Sequence, residues 1–201
     1  MVSEYQLTLT PKTPAIAEPR ARAVLESTLT TLRFIPNMYA VMANSPGLLE
    51  TYAAGYNLFR EESGFSPAEQ EVVLLTISRE NGCEYCVAAH SFLADAVSKV
   101  PPAVTEAIRT GGEIGDARLA ALSRFTSTMV ADRGLPTRRG VQAFLAAGYT
   151  ERQILEIVLA IAVKTLSNYA NHIFHTQLDP VFASKVWNES ALAATAGVCH
   201  S

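Results

Sequence analysis

Two cysteines, a histidine and a glutamate stand within a short stretch of this chain. Cys83 and Cys86 are separated by two residues, and His90 follows Cys86 after three more. Glu71 precedes Cys83 by twelve positions. Because an α-helix turns about 100° per residue, Cys83, Cys86 and His90 share one helix face. Two thiols one turn apart can form a disulfide, and a nearby imidazole and carboxylate can move the protons involved, so the pattern indicates thiol redox chemistry.

The turn signal at Asn81 and Gly82 predicts how Glu71 meets His90. If the flanking segments are the two helices of a hairpin, Glu71 lies ten residues before Asn81 and His90 nine after it, so their side chains are level. Glu71 has apolar neighbours on its side of the helix, which predicts a partly buried carboxylate. Burial would raise its pKa and suit it to act as a general base near neutral pH.

The cysteines lie at the start of their helix, where unpaired backbone N–H groups and the helix dipole stabilise a thiolate. In such a pair one thiolate is oxidised to a sulfenic acid. The second thiol then condenses with it to a disulfide before further oxidation. An external electron donor must reduce that disulfide again.

The composition supports a large buried core. Hydrophobic residues make up 49% of the 201 residues and charged residues 17%, with a net charge of −3. These values exclude a disordered chain and leave no basic patch for nucleic acid. The apolar stretch at residues 154–163 is interrupted by Glu156 and is too short to span a membrane. The three cysteines, with Cys199 alone near the end, are atypical of a secreted disulfide framework, so we expect a cytoplasmic, reducing location.

Helix start and stop signals cover most of the chain, and no segment shows the alternation of a strand, which predicts an all-α fold. Residues 1–18, rich in Thr and Pro, are predicted as an N-terminal arm, and residues 19–201 as a single helical domain. Ser66 and Glu69 form a capping-box pattern, with Pro67 at the first helical position.

A weak internal repeat emerges when the chain is shifted by 85 residues. The shift places Glu71 on Glu156 and His90 on His175, and it places two amides, Asn168 and Asn171, where the first segment has its thiols. We interpret this as a duplicated core of two helical hairpins, 66–98 and 150–178. The second hairpin would be structural or would line the other wall of the site. A chance match between two amphipathic helices is the alternative.

The string Glu71-x11-Cys83-x2-Cys86-x3-His90 resembles the core motif of the AhpD-like alkylhydroperoxidases, within the carboxymuconolactone decarboxylase superfamily. The resemblance is strongest over residues 66–98. The upstream stretch Phe34-Ile35-Pro36-Asn37-Met38 is similar to the peroxidase-related branch of that group.

This resemblance implies an AhpD-like helical fold, assembly as a homo-oligomer, and an antioxidant peroxidase that reduces hydroperoxides with an external dithiol reductant. It implies a proton relay from Glu71 through water and His90 to the thiols. Cys86 would attack the peroxide, and Cys83 would resolve the sulfenic acid and meet the reductant. Tyr85 stands where the best-studied pattern has His. It is a candidate relay residue, although a phenol moves protons less readily near neutral pH.

Two alternatives stay open. Tyr85 in place of His favours a thiol–disulfide oxidoreductase or redox sensor with weak peroxidase activity. The cysteine pair is also a pattern of zinc-binding structural modules, with Glu71 or His172 completing the ligands, although a second Cys pair is missing. No Gly-rich phosphate loop or dinucleotide pattern occurs, so no cofactor is expected, and the leading interpretation includes no metal.

Overall fold

The computed structural model describes residues 3–188, and within them the chain is helical without a strand. The helices are α1 (Pro19–Leu32), α2 (Asn37–Met42), α3 (Pro46–Glu62), α4 (Pro67–Glu80), α5 (Glu84–Ala96), α6 (Pro102–Thr110), α7 (Ala117–Ala131), α8 (Arg138–Ala146), α9 (Glu151–Phe174) and the 3₁₀ helix Pro180–Lys185. The all-α prediction is confirmed. Across the described residues, none of the helices combines the length and apolar character needed to cross a membrane.

The predicted capping box begins α4. The N–H of Glu69 donates to the Ser66 hydroxyl at 3.3 Å, and the N–H of Ser66 donates to the Glu69 carboxylate at 2.8 Å. The helix ends at Asn81, and Gly82 follows with a φ of +64°, a conformation that glycine adopts without strain. The chain reverses there, so α5 packs back against α4 as a helical hairpin.

α4 is the central helix of the fold. Its residues 69–78 are all buried, because α5, α6, α7 and α9 cover its different faces. One hydrophobic cluster includes buried side chains of α4, α7 and α8. A second cluster, with contributions from α1, α2, α3, α5 and α9, encloses Cys83 and Cys86. The cysteines therefore lie in a packed part of the protein rather than on an exposed loop.

Residues 150–178 do not form the predicted second helical hairpin, because α9 continues unbroken for 24 residues. Under the 85-residue shift, Asn81 and Gly82 correspond to Leu166 and Ser167, which carry no turn signal. Neither Gly nor Pro occurs within α9. Without such a break each added residue extends the helix at little cost, so the segment stays helical.

The described part of the N-terminal arm, residues 3–18, contains no helix. Its backbone is tied to α9 and α2: the N–H of Leu7 donates to the carbonyl of Ile173, and the N–H of Lys12 donates to that of Ala40, each at 2.8 Å. The arm is therefore hydrogen-bonded to two of the helices that enclose the cysteines.

Candidate active site

The hairpin brings Glu71 and His90 into direct contact. Oε2 of Glu71 lies 2.8 Å from Nδ1 of His90. Their residues are only 1% and 4% exposed. The structure therefore places the Glu71 and His90 side chains level with each other across the turn, as predicted. The water-mediated step implied by the resemblance is replaced by a direct hydrogen bond.

Arg60 on α3 holds the other oxygen of the Glu71 carboxylate. The same guanidinium donates to the Tyr56 hydroxyl at 2.6 Å. Burial by itself would raise the pKa of Glu71, but the hydrogen bonds and electrostatic interactions with His90 and Arg60 outweigh burial and lower that pKa. The expectation of a raised pKa is therefore wrong. The lowered pKa favours the carboxylate form of Glu71, which accepts hydrogen bonds from His90 and Arg60.

Lys164 on α9 contacts the other nitrogen of His90. Its Nζ lies 2.9 Å from Nε2, and the residue is fully buried. Because Lys164 donates and Glu71 accepts, we assign the imidazole proton to Nδ1 and leave Nε2 as an acceptor. Burial and the positive charge of Lys164 lower the pKa of His90. The imidazole is therefore neutral at neutral pH.

Asn171, also on α9, reaches both sulfur atoms. Its Nδ2 lies 3.3 Å from Sγ of Cys86 and 3.8 Å from Sγ of Cys83. Cys83 is the N-cap residue of α5, and Cys86 lies in the first turn. Of the two positions that the notional repeat aligned with the cysteines, Asn171 lines the site, whereas Asn168 accepts a hydrogen bond from Asn81 at 2.8 Å.

The pKa values of the two thiols are shifted in opposite directions. Burial would raise the pKa of Cys86, but a hydrogen bond with Cys83 and the charge and hydrogen bonding of Lys164 bring it well below its ordinary value. Burial and the neighbouring Cys86 raise the pKa of Cys83 well above its ordinary value. The pair therefore consists of a Cys86 thiolate and a Cys83 thiol.

This assignment balances the buried charges. Arg60 and Lys164 each carry one positive charge, Glu71 and the Cys86 thiolate each carry one negative charge, and His90 is neutral. Buried charges are costly unless each has a counter-charge and hydrogen bonds. Protonating Cys86 would leave one buried cation without a counter-charge, so the cluster itself favours the thiolate.

Tyr85 lies outside this hydrogen-bonded chain. Its hydroxyl donates to the carboxylate of Asp179 and accepts from the N–H of Met38 at 3.5 Å. Burial and the hydrogen bond to Asp179 raise the pKa of Tyr85. These contacts direct the phenol away from Glu71 and His90, so they do not support the relay role considered for it.

The two cysteines line different cavities. Cys86, His90 and Lys164 line a cavity of about 980 Å³, at the upper end of the range for small-molecule sites. Its walls are mainly apolar and aromatic, and they include Phe34, Met38, Tyr39, Tyr52, Phe92 and Phe182. Cys83 lines a second cavity of about 310 Å³.

The zinc alternative lacks its ligands. Among residues 3–188, no group of three or more His, Cys, Asp and Glu side chains is arranged to hold a metal ion. Glu71 is instead occupied by His90 and Arg60. Cys199, the remaining cysteine, lies outside the described residues.

Sequence reasoning missed Lys164 and Arg60. Lys164 could have been found, because it lies on the buried face of α9 at helical spacing with Ile157, Ala160 and Asn171. A lysine on such a face needs a buried partner. Arg60 carries no comparable signal, because it stands near the end of α3 among polar residues.

A family comparison supports the site's assignment to a known group. Residues 46–127, which hold α3 to α6 and most of α7, match the family model described as the carboxymuconolactone decarboxylase family. None of the curated proteins compared with the chain matches it significantly.

Solved structures share the fold. A peroxidase-related protein of Ralstonia eutropha JMP134, described as an alkylhydroperoxidase AhpD core, has a TM-score of 0.77 at 20% identity, covering 87% of this chain and 93% of that one. A peroxidase-related protein of Silicibacter sp. TM1040 has a TM-score of 0.71 at 19% identity, covering 90% and 97%.

The debrominase Bmp8 has a similar structure, with a TM-score of 0.69 at 17% identity, covering 90% of this chain and 96% of that one. A cysteine-to-alanine variant of that debrominase was solved in complex with 2,3,4-tribromopyrrole. The low identities limit these likenesses to the fold. The segment that bears the site therefore matches the carboxymuconolactone decarboxylase family model, and the chain has an AhpD-like helical fold.

Proposed function

We propose that this protein is a thiol-dependent peroxidase, which reduces hydroperoxides through Cys86 and Cys83 and is regenerated by an external dithiol. One observation carries the proposal: Cys86, the thiol with the lowered pKa, lines a large apolar cavity together with Lys164 and His90. A thiolate is the form that attacks a peroxide oxygen. An apolar cavity suits the organic part of a hydroperoxide.

In the first step the Cys86 thiolate attacks the terminal oxygen of the hydroperoxide. An S–O bond forms and the O–O bond breaks, so Cys86 becomes a sulfenic acid. The leaving alkoxide takes a proton from the Lys164 ammonium, which borders the same cavity, and departs as an alcohol. His90, held by Glu71, accepts a hydrogen bond from Lys164 and keeps its amine beside the sulfur.

In the second step Cys83 resolves the sulfenic acid. The now neutral Lys164 amine accepts the Cys83 proton and passes it to the leaving hydroxyl group. The Cys83 sulfur attacks the Cys86 sulfur, the S–O bond breaks, and a disulfide and water result. The raised pKa of Cys83 keeps it protonated until this step.

The hydrogens and charges balance within the site. The alcohol and the water together contain three hydrogens from acidic groups: one from the peroxide, one from Cys83 and one from Lys164. The two electrons come from the two sulfur atoms. The buried cluster has no net charge before the reaction, with a thiolate and an ammonium, or after it, with a disulfide and an amine. Oxidation therefore leaves no uncompensated charge in the core.

A stopped-flow assay of hydroperoxide consumption with dithiothreitol as reductant tests the proposal. We expect wild-type protein to turn over and Cys86→Ser to be inactive. Cys83→Ser should be oxidised at Cys86 by the hydroperoxide without forming the internal disulfide. Cys199→Ser is the matched control and should retain activity. Mass spectrometry should find the loss of two hydrogens in the peptide that contains Cys83 and Cys86. Turnover by Cys86→Ser at the wild-type rate would contradict the proposal.

The same pair also suits a thiol–disulfide oxidoreductase or redox sensor. The cavity favours a small oxidant over this alternative, because Cys86 is almost completely buried and a protein disulfide would have to reach it through that cavity. Comparing oxidation of the reduced protein by a hydroperoxide and by a protein disulfide separates the two activities.

Reductive dehalogenation is a second candidate, favoured by the aromatic walls of the 980 Å³ cavity and by the debrominase that shares the fold. Two thiols and an organic bromide would give a disulfide, a C–H bond and hydrogen bromide. Bromide release from a brominated aromatic compound in the presence of dithiothreitol tests this reaction, and no release would remove it.

The proposal includes a homo-oligomer working in a reducing compartment such as the cytoplasm. The resemblance supports the oligomer, as do the exposed apolar side chains of Leu155, Val158 and Tyr169 on α9. Light scattering should give a multiple of the 21.7 kDa chain mass. A monomer mass would contradict this part of the proposal.

A further inference from the structure

We infer that Asn171 is a further catalytic residue, whose side-chain amide donates a hydrogen bond to the Cys86 thiolate in the reduced protein and to Cys83 while Cys83 attacks the sulfenic acid. This inference rests on the proposed redox cycle. It adds a residue that the two proposed steps do not use, and it assigns that residue mainly to the second step.

The amide of Asn171 is shared by the two sulfur atoms. Its Nδ2 lies 3.3 Å from Sγ of Cys86 and 3.8 Å from Sγ of Cys83. Because Nδ2 carries two hydrogens, it can donate to both sulfurs from one position. The residue is only 4% exposed and follows Lys164 by seven positions, or about two turns of α9. One face of α9 therefore presents a charged donor and a neutral donor to the cysteine pair.

The orientation of this amide follows from the charge of Cys86. A thiolate accepts hydrogen bonds, so the nitrogen of the amide rather than its oxygen must face the sulfur. The oxygen, Oδ1, is buried and has no hydrogen-bond partner within residues 3–188. A buried polar atom without a partner destabilises a fold, so packing alone would favour an apolar side chain here. The amide is therefore better explained by what its N–H groups do at the sulfurs.

The second chemical step is where a neutral donor matters most. In the reduced protein the charge of Lys164 favours the thiolate form of both cysteines. In the proposed cycle Lys164 gives its proton to the alkoxide before Cys83 reacts, so this charge is gone when Cys83 must ionise. Neutral donors remain, from the backbone of Cys86 and from the side chain of Asn171. The amide neither gains nor loses a proton, so it is available at every stage.

The bonds formed and broken in the second step are those already given. The Cys83 proton passes through the Lys164 amine to the leaving hydroxyl group, the S–S bond forms and the S–O bond breaks. While this happens, the N–H of Asn171 stabilises the negative charge on Cys83, which disappears in the disulfide. Because a hydrogen bond to a charged sulfur is stronger than one to a neutral thiol, the amide favours the attacking form of Cys83. It therefore shortens the lifetime of the sulfenic acid.

A two-phase reaction with dithiodipyridine, an aromatic disulfide, tests the inference without a peroxide. The Cys86 thiolate attacks first, forms a mixed disulfide and releases one thiopyridone. Cys83 then attacks the Cys86 sulfur, forms the internal disulfide and releases the second thiopyridone. Each departing sulfur takes a proton, as the alkoxide and the hydroxyl group do in the proposed cycle. Absorbance of the released thiopyridone gives the rates of the two steps separately.

Asn171→Leu keeps the branched shape of the side chain and removes its donors. Its second phase should be about tenfold slower than in wild type, because a hydrogen bond to a charged group is lost. Its first phase should change less, because Lys164 still acts on Cys86.

Asn168→Leu is the matched control. It removes another buried amide of α9, whose oxygen accepts a hydrogen bond from Asn81. Both phases of this control should keep the wild-type rates. A second phase in Asn171→Leu within about twofold of the control would overturn the inference.

Asn171→Asp is a second variant that decides the question if the Leu variant does not fold. It matches Asn in size but carries carboxylate oxygens in place of the N–H groups. At about pH 8, where a carboxyl group is ordinarily ionised, its second phase should also be slowed. A second phase at the wild-type rate would refute the role of the amide.

The reaction with cumene hydroperoxide gives an independent readout. Asn171→Leu should accumulate the Cys86 sulfenic acid, which dimedone labels and mass spectrometry detects, and excess peroxide should convert it to the sulfinic acid. Labelling no higher than in Asn168→Leu would contradict the inference. Failure of the proposed peroxidase would look different, because hydroperoxide would then oxidise none of the proteins while the two phases with dithiodipyridine still tested Asn171.

Discussion

Nζ of Lys164 lies 2.9 Å from Nε2 of His90, although the two residues are 74 positions apart and belong to different helices. The same ammonium group lowers the pKa of Cys86. Lys164 therefore joins the reactive sulfur to the hydrogen-bonded chain that continues through His90 and Glu71 to Arg60.

Replacing Lys164 by methionine should weaken the Cys86 thiolate. Met fills a similar volume but removes the charge and the hydrogen bonds, so the pKa of Cys86 should rise toward its ordinary value. The rate of alkylation of Cys86 by iodoacetamide, followed from pH 5 to pH 9, gives this pKa directly. Lys164→Arg keeps the charge and should shift it less. The same midpoint in wild type and Lys164→Met would contradict the assigned role.

Substitutions of Glu71 and Arg60 should have strongly non-additive effects on the free energy of unfolding. Glu71→Gln leaves the Arg60 guanidinium partly buried without its counter-charge, which should lower the free energy of unfolding by about 3 kcal/mol. Arg60→Met should be comparably destabilising, because it leaves the carboxylate with His90 alone. The double variant should lose less than the sum of the two single losses. Urea denaturation of the four proteins measures the coupling, and strictly additive losses would show that the pair acts independently.

The reduced protein should lose stability as the pH falls below about 6.5, the pKa of an ordinary histidine. Burial and Lys164 lower the pKa of His90 in the folded state, so the unfolded chain binds the proton more readily. The stabilising effect is complete above the unfolded pKa and is lost as the pH falls toward the folded one. The expected loss is up to about 1.4 kcal/mol per pH unit.

Urea denaturation between pH 7.5 and pH 5 checks this dependence. Cys86 and Glu71 also have lowered pKa values and contribute losses of the same sign, Glu71 mostly below about pH 4.3. His90→Gln is therefore the matched control and should show a shallower decline between pH 6.5 and pH 5. Stability that increases on acidification in this window would contradict the direction of the His90 shift.

Tyr85→Phe should affect stability more than chemistry. It removes the hydroxyl that donates to Asp179, a residue only 5% exposed whose carboxylate would keep the hydrogen bond from the N–H of Asn37. Losing a hydrogen bond to a charged group costs about 1.5–3 kcal/mol. The ring remains, so its edge-on packing against Phe182 is kept. Thermal unfolding should therefore shift downward, while the rate of Cys86 oxidation by hydroperoxide changes less than about twofold. A large loss of that rate would instead support a role for Tyr85 in proton transfer.

Sequence signals predicted the contacts of the site between residues that are close together in the chain. They predicted few of its contacts between distant segments. The capping box at Ser66 and the turn at Asn81 are short-range signals, so they predicted the α4–α5 hairpin and with it the contact between Glu71 and His90. The helix bounds follow from similar signals. The hairpin predicted for residues 150–178 is wrong, because the internal similarity is weak and α9 contains neither Gly nor Pro to form a turn.

Such sequence signals did not predict how charges are distributed in the site. The pKa direction of Glu71 depends on Arg60, whose approach is set by the packing of α3 rather than by any pattern near either residue. Lys164 was visible as a lysine on an apolar helix face, but its partners were not. Spacing along a chain predicts which side chains share a face, whereas the sum of charges around a buried group depends on the assembled fold.

The distance in sequence between Cys86 and Lys164, which is 78 positions, has a consequence for synthesis of the protein. A nascent chain exposes both cysteines to water, where thiols titrate near pH 8.5 and are mostly protonated at neutral pH. The ammonium of Lys164 and the amide of Asn171 reach the sulfur only after α9 has emerged from the ribosome and packed against α5. Cys83 and Cys86 are therefore slow-reacting thiols while the chain is being made, and the lowered pKa of Cys86 arises only as folding is completed.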